Sequence, residues 1–173
     1  YTLHSRAYDV ARNTQTALAA DVVFTWDVTG PAIALSTPAS SEQKVYSVMN
    51  PIGGTAQDGS NISSVEYRIK HPAALYWTAG GDFSGPADTW HVAAGSTPTN
   101  GLLSWTTTYL PGFNEANNNA WIISARARDA AGNYSAAYTT GTFLFDITAP
   151  VSITTNVVEG STLTAYTVIA GTG

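Results

Sequence analysis

Asp27, Asp58, Asp129, Asn133 and Asp146 are the side chains in this sequence best suited to chemistry. Asp27 and Asp146 share a context: Trp26-Asp27-Val28-Thr29 against Phe145-Asp146-Ile147-Thr148. Asp129 and Asn133 bracket the short run Ala130-Ala131-Gly132, and Asp58 precedes Gly59-Ser60. Carboxylates and amide oxygens are hard ligands, and Ca2+ gathers six to eight such oxygens from side chains, carbonyls and water. If the fold brought these residues together, they would suit Ca2+. The competing reading is purely local. Asp and Asn shape turns by accepting bonds from backbone N–H groups two to four residues on. On that reading Asp129 and Asn133 form a turn, and Asp27 and Asp146 satisfy linker backbone.

Other chemistry finds little support. His4, His71 and His91 have no Glu or His at metal-ligand or acid–base spacing. No cysteine is present, which removes disulfides, thiolate metal sites and a thiol nucleophile. No catalytic residue is assigned, and the chain is expected not to be an enzyme. Trp77, Trp90 and Trp105, among Tyr76, Phe83, Tyr109 and Phe113, offer flat rings with polar edges. They could form a sugar-stacking platform, or fill a core. Asn61-Ile62-Ser63 and Asn133-Tyr134-Ser135 match the N-glycosylation acceptor pattern and carry little weight.

Composition narrows the setting. The chain has 44% hydrophobic and only 11% charged residues, with net charge −5. The seven Lys and Arg are scattered singly through the sequence, so no basic run is present to neutralise a phosphate backbone. Nucleic acid is not an expected partner. No apolar run reaches the roughly 20 residues of a membrane span. Five Trp, nine Tyr and five Phe call for a packed core rather than disorder.

The elements that must hold these residues are strands. In Ile62–Lys70, Val65, Tyr67 and Ile69 alternate with Glu66, Arg68 and Lys70. Trp121, Ile123, Ala125 and Ala127 alternate with Ser124, Arg126 and Arg128 in the same way. This two-residue period marks half-buried strands. Pro and Gly clusters separate segments read as strands A near 32–37, B near 46–56, C at 62–70, a short C′ at 74–78, a D-like strand at 87–93, E at 102–109, F at 120–129 and G at 138–146. Helix is expected to be near zero.

The chain also repeats itself. Arg6, Ala7, Asp9, Ala11 and Asn13 recur as Arg126, Ala127, Asp129, Ala131 and Asn133, 120 positions on. Phe24, Asp27, Thr29 and Pro31 recur as Phe143, Asp146, Thr148 and Pro150, 119 positions on. Ile52 to Ala56 resembles Ile169 to Gly173, and Ala32 and Ile33 resemble Val151 and Ile153. A unit of this length is one sandwich domain. The expected organisation is residues 1–30 as the F and G strands of one unit, 31–149 as a complete unit, and 150–173 as the A and B strands of a third. Both chain ends read as cuts within a longer array.

The Greek-key strand directions then place the residues. Strand A starts, and the B–C and F–G loops turn, at one pole of the sandwich. Strand G leaves from the other. Asp27, ending one unit, is therefore expected beside Asp58, Asp129 and Asn133 of the next, where Ca2+ would stiffen the hinge. Asp146 would play the part of Asp27 at the following junction.

The Ser-Arg-Ala-x-Asp-x-Ala-x-Asn block, the Phe-x-(Trp/Phe)-Asp-x-Thr-x-Pro linker, Ile52 to Asp58, and the Trp positions 77, 90 and 105 together resemble tandem Ig-like repeats of very large bacterial surface and adhesin-like proteins. Arg12 departs from the family's Gly, and Gly30 from its Ala before Pro. The resemblance covers essentially the whole chain. It implies an all-β, Greek-key immunoglobulin-like sandwich at the bacterial cell surface, acting as a rigid spacer or fibre module whose partners are neighbouring repeats. The alternative is a carbohydrate-binding or accessory domain of a secreted enzyme, with Trp77, Trp90 or Trp105 exposed to a glycan. Strand exchange between copies is a further possibility raised by open strand edges.

Overall fold

A computed structural model describes all residues except 17–19, 39–43, 49–50, 74, 79, 96–100, 114–118, 156–158, 161, 163–164, 166–169 and 173. No α-helix occurs among the described residues. The strands among the described residues are, in chain order, β1 (Thr2–Leu3), β2 (Val22–Val23), β3 (Ala32–Thr37), β4 (Lys44–Tyr46), β5 (Gly53–Gln57), β6 (Ile62–Lys70), β7 (His91–Val92), β8 (Ala94–Gly95), β9 (Leu102–Thr106), β10 (Asn119–Asp129), β11 (Thr139–Phe145), β12 (Ile153–Thr154) and β13 (Gly171–Thr172).

Strands β3 to β11 form the two sheets of a sandwich. One sheet has the order β3-β5-β9-β8 and the other β4-β11-β10-β6-β7. Chain neighbours β5 and β6, and β9 and β10, lie in opposite sheets. This is the Greek-key crossing of an immunoglobulin-like fold. The alternation read from sequence decides which side faces in. Val65, Tyr67 and Ile69 of β6 and Trp121, Ile123, Ala125 and Ala127 of β10 are buried against Leu35, Ile52, Ala56, Leu103 and Trp105. Phe113 closes the lower end, edge-on to Trp121 at 5.0 Å and to Phe143 at 5.3 Å between ring centres.

Several element boundaries differ from the sequence reading. The strand expected near 46–56 is two strands. β4 pairs in parallel with β11, whereas β5 pairs with β3 and β9 in the other sheet. Pro51 interrupts the run because it has no N–H for a ladder. Gly53 and Gly54 punctuate nothing; they lie inside β5. A Cβ on Gly54 would stand 1.9 Å from the carbonyl oxygen of Ala34, so that close pairing requires glycine. The short strand expected at 74–78 is reduced to bridges from Tyr76 to Lys70 and Gly85, with residue 74 outside the described set. The D-like strand at 87–93 divides. His91–Val92 joins β6, and Ala94–Gly95 joins β9 in the opposite sheet.

The flanking segments repeat the pairing of the centre. β1 pairs with β2 as Thr2↔Val23 and Leu3↔Val22, the counterparts of Ile122↔Thr142 and Ile123↔Gly141. The turn after each strand is also shared. Gln15 N–H donates to Ala7 O at 3.0 Å, as Ser135 N–H does to Ala127 O at 2.9 Å. At the other end, β12 pairs with β13 as Ile153↔Thr172, which corresponds to Ala34↔Thr55. The pairing therefore matches Ile153 to Ala34, not to Ile33 as residue types alone suggested. The short pairs β1–β2 and β12–β13 thus repeat pairings found within the sandwich.

Candidate junction site

β10 carries Asp129 in register with Trp121, Ile123, Ala125 and Ala127. Its carboxylate therefore enters the mouth of the sandwich and is 1% exposed. A charge there needs partners, and the turn supplies them. Asp129 Oδ1 accepts from Gly132 N–H at 2.6 Å and Asn133 N–H at 2.8 Å, and Oδ2 accepts from Asn133 Nδ2 at 2.9 Å. Gly132 closes the turn at φ +99°, in the left-handed region that favours glycine. Burial and the negative charge of Asp27 work to raise the Asp129 pKa. The bonds from Asn133 and Gly132 outweigh them and hold it below the ordinary 3.8.

Asn133 extends this turn to the preceding linker. Its Nδ2 donates to the carbonyl oxygens of Asp27 at 3.1 Å and Thr29 at 3.3 Å. The linker shapes itself in turn: Asp27 Oδ1 accepts from Thr29 N–H at 2.9 Å and from its hydroxyl at 2.7 Å. These bonds, with the Ser60 hydroxyl, hold Asp27 below its ordinary pKa as well. Gly30 then passes so close to the turn after β10 that a Cβ there would lie 1.9 Å from Tyr134 O. Asp58 enters from the loop joining β5 to β6, where its Oδ1 accepts from Ser60 N–H and hydroxyl, each at 2.8 Å. Ala130 N–H donates to Asn61 O at 2.7 Å and joins the two loops.

One carboxylate oxygen each from Asp27, Asp58 and Asp129 falls within 4.8 Å of the other two. Asp146 belongs to no such group among the described residues. It repeats the linker bond, with Thr148 N–H donating to its Oδ1 at 2.8 Å.

The partial copy separates turn shaping from convergence. Asp9 and Asn13 form the same turn, with Asn13 N–H and Nδ2 each 2.7 Å from the Asp9 carboxylate, in an exposed setting. The turn therefore explains Asp129 and Asn133 by itself. It does not explain why Asp27 and Asp58 approach them. The three carboxylates provide hard oxygens for a cation.

The tryptophans are placed differently from a sugar platform. Trp77 and Trp105 are 5% and 1% exposed and belong to the core. Trp77 stacks on His91 at 4.4 Å, and His91 Nε2 lies 2.9 Å from Trp77 O. Trp90 is half-buried, with the Arg68 and Arg126 guanidiniums over its ring at 4.6 and 4.2 Å. Arg68 also sits over Tyr76 and Tyr138, and Arg126 and Arg128 over Tyr134. Arg126 pairs with Glu66 at 2.6 Å. This arginine–aromatic ladder on the outer sheet face was not anticipated. Its signal in the sequence is the parity of Arg68, Arg126 and Arg128, which places all three outward. His71 packs edge-on against Trp121 at 5.0 Å, and His4 pairs with Asp21 at the surface.

No family model matches the chain, and no curated protein matches it. Among solved structures it is similar to CopC from Methylosinus trichosporium OB3b, at 12% identity and TM-score 0.36, over 66% of this chain and 94% of that one. It is also similar to murine CRIg, at 12% identity and TM-score 0.30, over 67% and 96% of the two chains. The sandwich assignment rests on the strand order and pairing described above.

Proposed function

We propose that this chain is a non-catalytic extracellular segment of a bacterial surface protein, a rigid spacer or fibre-forming module built from tandem Ig-like units. In this reading residues 1–30 complete one unit, 31–149 form a second and 150–173 begin a third. Its partners are neighbouring repeats. The observation that carries the reading is the anchored linker. Asn133 of one unit holds the backbone of Asp27 and Thr29, which end the unit before. A stalk transmits direction only if its hinges are restricted, and a side-chain amide bound to linker carbonyls restricts this one. Pro31 adds to the effect by fixing its own φ and holding Gly30 away from the helical region.

Backbone relaxation tests this. Amides of Asp27–Gly30 are expected to be as ordered as those of β10, with order parameters of about 0.85. Values below about 0.6 would mark a free hinge and end the spacer reading.

Ca2+ at Asp27, Asp58 and Asp129 would lock the same hinge by neutralising the three carboxylates. Melting temperature is expected to rise with added Ca2+ and return with chelator. A ligand at 100 times its Kd adds about 2.7 kcal/mol. Asp58→Asn should abolish the response, because Asp58 contributes a ligand without shaping the Asn133 turn. A melting temperature indifferent to Ca2+ would remove the metal and leave the spacer.

A further inference from the structure

The outer face of the sheet built on β6 and β10 gathers charge that the sequence scatters. Arg68 and Lys70 of β6 and Arg126 and Arg128 of β10 share the outward parity. The register sets Arg126 beside Glu66 and Arg68 beside Ser124. Four of the seven Lys and Arg therefore stand on this face. Glu66 is the one carboxylate among the outward positions of the two strands. The face is thus basic on a chain of net charge −5. Among the described residues Glu66 neutralises Arg126, at 2.6 Å, and Asp88, in the loop before Trp90, makes no ion pair with the other cations.

Rings hold these cations in place. Arg126 lies over Trp90 and Tyr134, Arg68 over Trp90, Tyr76 and Tyr138, and Arg128 over Tyr134. Cation–π attraction orients a guanidinium without consuming its N–H donors, of which each has five. Arg68 donates to Ala87 O, and Arg128 Nε donates to Gly132 O at 3.4 Å. Most of their donors remain for a ligand. Like charges facing one another across a sheet destabilise it, so the uncompensated excess is a cost that a bound anion relieves.

We infer that this face binds an acidic polysaccharide, a linear chain whose sugar carboxylates accept from Arg68, Arg128 and Lys70. Tyr134 and Tyr138, 42% and 51% exposed, add phenol hydroxyls. The inference goes beyond the spacer reading and does not depend on it. Three features select this partner. Cations two residues apart along a strand repeat at about 6.8 Å, which fits an anion repeated along a polymer better than a single small one. β6 and β10 are interior strands of their sheet, so neither has a free edge to pair with the backbone of an acidic peptide. Tyr76, Trp90, Tyr134 and Tyr138 each already carry a guanidinium over the ring, whereas single-stranded nucleic acid needs open ring faces to stack its bases.

The test titrates the whole chain with polygalacturonate, followed by NMR, with chelator present so that no divalent ion bridges polymer and protein. Fully methyl-esterified polygalacturonate, the same backbone without its charge, and oligothymidylate are run beside it. The expected result is saturable shifts confined to the outward residues of β6 and β10, the Trp90 indole N–H and the two tyrosines. The ester is expected to bind roughly tenfold more weakly or worse, and salt is expected to weaken the acid form. Lys70→Gln combined with Arg128→Gln, both at outward positions, is expected to cost roughly tenfold in affinity with the melting temperature unchanged. Should that variant be destabilised, the comparison of acid and ester on the native chain decides alone. Absence of saturable binding, equal affinity for the ester, or shifts elsewhere on the sandwich overturns the inference. Tighter binding of oligothymidylate overturns it as well, by assigning the face to nucleic acid. Each of these results leaves the spacer reading standing.

Discussion

Trp121→Ala is expected to cost the central sandwich about 4 kcal/mol, the range for emptying a packed core of an indole, and to lower its melting temperature by roughly 10 °C or more. Tyr1→Ala, at the equivalent position of the partial copy, is expected to change stability by less than about 0.5 kcal/mol. The two side chains hold the same place in the same strand pair, yet Trp121 is 0% exposed and Tyr1 is 74% exposed. The difference lies in what covers them. Phe113 meets Trp121 edge-on from the lower end, His71 and Phe83 pack beside it, and the opposite sheet closes over the same core. Leu3, Phe24 and Trp26 share Tyr1's condition, at 60%, 46% and 68% exposure, while their counterparts Ile123, Phe143 and Phe145 are buried. The Tyr1 ring stacks on Phe24 at 5.4 Å. Chemical denaturation of the two variants measures the contrast. Equal losses would mean that the first thirty residues form part of the central core, and the repeat reading would be wrong.

The same contrast shows what the sequence could and could not reveal. Strand faces were legible because a two-residue period leaves only two choices, and burial of Val65, Tyr67 and Ile69 follows from one of them. β3 and β6 fall where the alternation placed them. The register of repeated units was legible from Arg6-to-Arg126 and Asp9-to-Asp129 matches, since copies of a turn need the same donors and acceptors. Sheet switching was not legible. β4 and β5 are separated by Pro51, but nothing local says that the first joins β11 and the second joins β3 and β9. Trp90 was hidden for a related reason. Its neighbours Arg68 and Arg126 come from strands β6 and β10, and each Arg–aromatic contact is worth only about 0.5–1 kcal/mol at an exposed site. The parity of Arg68 and Arg126 places both outward, but nothing along the chain pairs them with Trp90. The approach of Asp58 to Asp27 was legible from topology alone, because loop poles in a Greek-key sandwich follow from strand direction. The 1% exposure of Asp129 could have been read from its odd parity with Trp121.

Asp129→Ala is expected to disconnect the linker from the sandwich. Its side chain accepts three bonds, from Gly132 N–H, Asn133 N–H and Asn133 Nδ2. With those acceptors gone, Asn133 is no longer aimed at Asp27 O and Thr29 O. Amide exchange at Gly132 and Asn133 is expected to quicken roughly tenfold or more, because both donors lose their carboxylate acceptor. The Asn133 side-chain amide signal is expected to move toward that of a solvated amide. Asp9→Ala breaks the matching turn near the start of the chain and leaves Asn133 unchanged. Acid provides the same perturbation without mutation. Asp27 and Asp129 are both held below 3.8 in the folded chain, chiefly by turn hydrogen bonds working against burial at Asp129. A depressed carboxylate contributes its stabilisation fully above its unfolded value and loses it as pH falls through the lower folded value. The native junction therefore persists as pH falls to 3.8 and opens below it, whereas Asp129→Ala is open at neutral pH. An Asn133 amide that already shifts well above pH 3.8, or that ignores Asp129→Ala, would mean that the linker is held by something other than this turn.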